Sequence, residues 1–228
     1  MKNSYSFRRG VFGFAIAGLT TAAIVSGNSF AFHEEHGEDV KEDRALDSFT
    51  KIRVKGAIEL KLVAGKDQKV TIETAQDRIK DVETFVRGDT LVIDMNGDKR
   101  RNYWRDVDVD VYISMPTLEG IEVMGAVDAE VSGVDSERLV IDIKGAADLD
   151  MAGKCGQLEL DVKGAGDINA KDLKCENVEV DVRGAGSASI FASNEIDADV
   201  AGVASVTVYG KPKSVRKHVG GIGSINIR

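Results

Sequence analysis

Acidic side chains recur at fixed offsets around a series of glycines. Three residues before the glycines stand Glu122, Asp142, Asp161, Asp181 and Asp199; three residues after them stand Asp128, Asp148 and Asp167, then Ser187, Ser205 and Ser224. If the repeats stack, each set becomes a column of carboxylates one strand spacing apart, where like charges repel. Stacked carboxylates could hold Ca²⁺, a hard cation that takes several oxygen ligands. The rival chemistry is a solvated face, partly neutralised by Lys144, Lys163 and Arg183, which lie two positions beyond Asp142, Asp161 and Asp181. No Gly-Gly-x-Gly-x-Asp calcium repeat occurs, so the solvated face is preferred and no metal is assigned.

Three other groups carry chemistry. Residues 98–105 interleave basic and aromatic side chains, and Arg100, Arg101, Tyr103, Trp104 and Arg105 could stack on a sugar or pair with an anionic glycan. The plainer alternative is a surface loop in which Trp104 covers one end of the fold. His33 and His36 flank two glutamates, but the zinc-protease pattern needs histidines four apart on a helix, and these are three apart in a polar stretch. Cys155 and Cys175 have no histidine near them in sequence, which argues against a catalytic thiol. The sequence therefore offers no catalytic residue and no cofactor site.

The elements that position these residues follow from a repeat. The segments IEVMGAVDAEV, IDIKGAADLDM, LDVKGAGDINA, VDVRGAGSASI, ADVAGVASVTV and KHVGGIGSINI are centred on Gly125, Gly145, Gly164, Gly184, Gly202 and Gly221. Within a unit the period is two: Leu139, Ile141, Ile143, Ala147, Leu149 and Met151 point one way, and Asp142, Lys144, Asp148 and Asp150 the other. Each unit reads as short half-buried strands joined at a glycine bend. A unit of about 19–20 residues cannot bury its own face, but successive units can stack. The expected fold is all-β, a parallel β-helix whose coils are roughly 4.8 Å apart. The alternative is a β-sandwich of successive hairpins; a propeller needs about 40 residues per blade.

That stacking gives the cysteines a meaning. Cys155 follows Gly145 by 10 residues and Cys175 follows Gly164 by 11, so they fall at nearly the same turn of adjacent coils, within the Cα separation that a disulfide tolerates. A bond between them closes a loop of about 20 residues, a stabilisation of about 3 kcal/mol in the chain-entropy description. Residues 48–228 read as one domain, with regular repeats over 117–228. Residues 48–116 are strands that begin or cap the solenoid, and only 75–85 could hold a short helix. Residues 32–47 are polar and read as a flexible leader.

The first 31 residues carry Lys2, Arg8 and Arg9, an uncharged run over 11–27, and Ser29-Phe30-Ala31. This is the pattern of a cleavable secretory signal, cut between Ala31 and Phe32, and no later run is apolar enough to span a membrane. The expected location is extracytoplasmic, in the periplasm or outside, where disulfides persist. Setting aside the three positive charges of the signal takes the net charge of the 228-residue chain from −8 to −11. A chain so acidic has no general basic field for nucleic acid or for an anionic membrane surface.

A Phe49-x-x-Ile52-x-Val54-x-Gly56-Ala57 opening, the Val109 to Leu118 segment with its Met-Pro, and glycine-alanine repeats ending in Gly-Ile-Gly-Ser-Ile resemble the head GIN domain family, described as an autotransporter-adhesin head and formerly a domain of unknown function. The resemblance covers about residues 48–228. It implies a right-handed β-helix in an exported bacterial protein with an adhesin-like role, and it supplies no catalytic residues. The chain departs from many members in placing Asp128, Asp148 and Asp167 where they have Ser. The functional expectation is a non-enzymatic interaction or scaffold domain of the cell envelope, with a glycan or an envelope protein as partner. The alternatives are a polysaccharide-acting β-helix enzyme and a structural protein that self-associates through exposed strands at the coil ends.

Overall fold

The computed structural model describes residues 38–95 and 108–228. The signal segment, the His33 and His36 pair and the 98–105 cluster lie outside the described residues. Fifteen strands, β1 (Asp39–Arg44), β2 (Lys51–Lys55), β3 (Ala57–Ala64), β4 (Lys69–Ala75), β5 (Glu83–Arg87), β6 (Thr90–Asp94), β7 (Asp110–Met115), β8 (Gly120–Val123), β9 (Ala126–Ile143), β10 (Ala146–Val162), β11 (Ala165–Val182), β12 (Ala185–Val200), β13 (Val203–Tyr209), β14 (Ser214–Val219) and β15 (Ser224–Ile227), join one continuous sheet.

From β8 onward every pairing is parallel and joins a coil to the next. Successive hairpins would have paired antiparallel, so the fold is a β-solenoid and the sandwich alternative falls. Each of β9 to β12 carries nearly a whole coil. The repeat glycine stands between one long strand and the next, and a second corner lies within the strand, where the ladder shifts register near 150–153 and 170–177.

Inward positions form columns of the same kind. Ile121, Ile141, Leu160, Val180 and Ala198 stand in register and are buried. Large side chains stay buried through the later coils, where Leu173, Ile190 and Ile196 are each 0% exposed beside Val and Ala.

The chain between β3 and β8 interrupts the coils to build their N-terminal end. β7 adds to β3 in parallel, and β4 and β1 continue the sheet antiparallel; β6 adds to β2, and β5 closes that side antiparallel. The described strands β2 to β7 thus lie at the N-terminal end of the solenoid. Two expectations are corrected. Residues 39–44, expected within the flexible leader, form β1, because an extended DVKEDR segment can satisfy the open edge of β4 through its backbone while Lys41 pairs with Glu73 at 3.0 Å and Asp43 with Lys69 at 3.0 Å. Residues 75–85 hold only a one-turn 3-10 helix, Ile79–Asp81, because Glu83–Arg87 is drawn into strand pairing with β6.

Candidate functional site

The outward columns are the surface features with chemical content, and the strand register assembles them. Glu122, Asp142, Asp161, Asp181 and Asp199 stand in one line, coil by coil, and His218, exposed, ends it. Arg53 heads the same line in β2, a position that sequence spacing missed because 69 residues separate it from Glu122. A second line runs Asp128, Asp148, Asp167, Ser187, Ser205 and Ser224, with Glu59 and Asp110 above it. A third, Glu159, Glu179 and Asp197, lies two residues before the first and ends at Arg216. The two-residue alternation around each glycine could have revealed it.

The columns are held by cations and by the following coil. Lys144 bridges Glu122 at 3.0 Å and Asp142 at 2.6 Å, Lys163 pairs with Asp161, and Arg183 pairs with Asp181. In the second line Asp148 accepts a hydrogen bond from the Asp167 N–H at 3.2 Å, and Asp167 accepts from both the Ser187 N–H at 3.1 Å and the Ser187 hydroxyl at 2.6 Å. These acids are therefore ladder rungs as well as surface charge. Among the described residues no group of three or more His, Cys, Asp or Glu side chains is placed to hold a metal ion.

Two shallow grooves follow the columns. One of about 470 Å³ lies along Asp142, Asp161 and Asp181 beside Glu159 and Glu179. The other, about 570 Å³, has Ala126, Ala146 and Ala165 in its floor and Glu59, Asp110 and Asp128 along it. Burial raises the pKa of the Asp110 carboxyl, and repulsion from Glu59 adds to the rise. Burial also acts to raise Glu122, but hydrogen bonds from Lys144 and Arg53 outweigh it and leave that carboxyl below its ordinary value.

The Glu122 bridge therefore adds stability above the ordinary carboxylate range, and that stability is lost as pH falls through the lowered folded-state pKa. Glu122→Gln is expected to cost about 1 kcal/mol at pH 7. The difference from the unsubstituted protein should shrink as pH is lowered below the ordinary carboxylate range, in denaturant unfolding followed across that range.

Cys155 and Cys175 are directly paired in register in β10 and β11, both buried, with Cα atoms 4.4 Å apart, and they form a disulfide. The expected ligand contacts Arg100, Arg101, Tyr103, Trp104 and Arg105 lie outside the described residues. No described helix is long and apolar enough to cross a membrane.

The sequence matches no curated protein. Among solved structures it is similar to a "putative adhesin" of Bacteroides fragilis, with a TM-score of 0.68 at 23% identity, covering 84% of this chain and 97% of that one. It is also similar to a "putative adhesin" of Parabacteroides merdae, with a TM-score of 0.43 at 15% identity, covering 84% of this chain and 97% of that one. The first likeness carries the solenoid fold. Residues 48–212, most of the described chain, match the family described as "Putative auto-transporter adhesin, head GIN domain", and the chain belongs to that family.

Proposed function

We propose that this protein is an exported, non-enzymatic interaction domain of a bacterial cell envelope, adhesin-like, which presents its columned flanks and the 98–105 cluster to a glycan or an envelope protein. The observation that carries this reading is the register of the outward side chains. They repeat coil after coil on open flanks, with Asp142, Asp161 and Asp181 tied to neighbouring cations and Asp167 to the next coil, whereas polysaccharide hydrolysis needs one acid pair set apart in a cleft. Family membership supports the adhesin-like role. Export rests on the basic start, the apolar run and the small residues at 29 and 31.

Trp104 is the single tryptophan of the chain, and an indole supplies the flat apolar face on which a sugar ring stacks. A glycan array probed with the purified protein should show binding to a restricted set of glycans. Trp104→Ala should weaken that binding about tenfold, corresponding to the loss of about 1–2 kcal/mol of aromatic contact. Absence of any glycan signal, or an unchanged signal for Trp104→Ala, would remove the 98–105 cluster from the account.

A further inference from the structure

We infer that the last coil is a docking surface for an anionic phospholipid bilayer, on which the solenoid stands end-on. All 38 Asp and Glu residues lie at or before Asp199, and the chain beyond it carries Lys211, Lys213, Arg216, Lys217 and Arg228 with no acid. The net charge of the whole conceals this segregation. Arg216 is held by Glu195 at 2.7 Å and Asp197 at 2.9 Å in the preceding coil. Lys211 and Lys213, in the loop between β13 and β14, and Lys217, in β14, are exposed.

The same end is apolar. Val215 and Val219 stack on Ile196 and Val200, which are fully buried, yet they are themselves 42% and 40% exposed. Ile222, in a glycine-flanked turn, is 82% exposed, and Ile227 is 37% exposed. The core columns thus open to the surface here, fringed by lysines.

Lys217 decides which occupant fits. It stands in the inward column directly on Ala198, whose exposure is 0%. A further coil, from a second copy, would bury that ammonium in the column beside valines, and inward-pointing charge is a known guard against edge pairing. Among the described residues, Lys41, Glu42, Asp43 and Arg44 of β1 at the other end of the sheet are of both signs and already paired. A soluble polyanion would satisfy the lysines but leave Val215, Val219 and Ile222 in water. A lipid headgroup layer meets both needs: phosphates for the lysines and an acyl boundary for the valine and isoleucine side chains. End-on contact also keeps most of the acidic columns away from the lipid. Coils are about 4.8 Å apart, so charges two or more coils back lie beyond the Debye length of about 8 Å at physiological salt.

The test is co-sedimentation of the exported, processed chain with vesicles of phosphatidylcholine containing about a quarter phosphatidylglycerol, against pure phosphatidylcholine vesicles, with free protein run in parallel by analytical ultracentrifugation. The wild type should sediment with the anionic vesicles and not the neutral ones, and release at high salt. Lys211→Glu/Lys213→Glu/Lys217→Glu should weaken retention on the order of a hundredfold, and Ile222→Ser several-fold. All four positions are exposed, so the melting temperature should hold. No retention, or equal retention of wild type and the triple variant, would overturn the inference. So would a vesicle-independent dimer abolished by the triple variant, which would assign the end to a second copy.

Discussion

Gly145→Ala is expected to destabilise the protein by more than about 4 kcal/mol, a loss at the far end of what single substitutions do. A Cβ at Gly145 would lie 1.9 Å from the carbonyl oxygen of Gly125 and 2.9 Å from its carbon and nitrogen. The contact repeats along the column: a Cβ at Gly164 would stand 1.8 Å from the Gly145 oxygen, and one at Gly184 1.8 Å from the Gly164 oxygen. The coils cannot separate to admit the methyl group, because backbone bonds on either side fix their spacing. Ala146 N–H donates to Gly125 O at 2.8 Å, and Ala165 N–H donates to Gly145 O at 2.9 Å. Gly220→Ala is the control. Its Cβ would meet only His218, at an ordinary 3.6 Å, and its effect should stay within about 1 kcal/mol. Denaturant unfolding of both variants checks this. A Gly145→Ala protein as stable as the control would show that the glycine column does not set the coil spacing.

Removing the disulfide is the second large effect expected. Cys155→Ala/Cys175→Ala should lower stability by about 3 kcal/mol through the freed chain entropy of a loop of about 20 residues. The bond ties two directly paired residues of β10 and β11, just past the corner at Asp150 and Ala152 where their ladder shifts register. In a stacked-repeat fold each coil is held mainly by its neighbours, so reduction should loosen β11 to β15 more than β2 to β9. Hydrogen exchange with and without reductant should show protection falling first in the C-terminal coils. A uniform fall, or none, would contradict this placement of the staple.

The columns were legible because the glycine gives every coil the same origin. An offset of three residues placed Asp142, Asp161 and Asp181 in one line, and the ladder pairs them in that line. An offset of 10 or 11 placed Cys155 against Cys175. Where the marker is missing, the reading fails for a physical reason. Period-two alternation in β4 and β7 says that one face is buried but not whether the neighbour runs parallel or antiparallel, so the antiparallel cap could not be drawn. DVKEDR has a single apolar residue, and its strand character comes from the open edge of β4 rather than from its own side chains. Arg53 and Asp110 reach the acidic columns only because chain distant in sequence is brought beside them. The basic last coil was hidden by averaging, since a strongly acidic total masks a short segment of opposite sign.

The central claim is that the solenoid binds a surface polymer without altering it. Purified protein incubated with a panel of acidic and neutral polysaccharides, followed by size-exclusion chromatography of protein and polymer together, tests this directly. The account predicts co-elution with a polymer whose length is unchanged after prolonged incubation; appearance of shortened products would contradict it and place the protein among polysaccharide-acting enzymes.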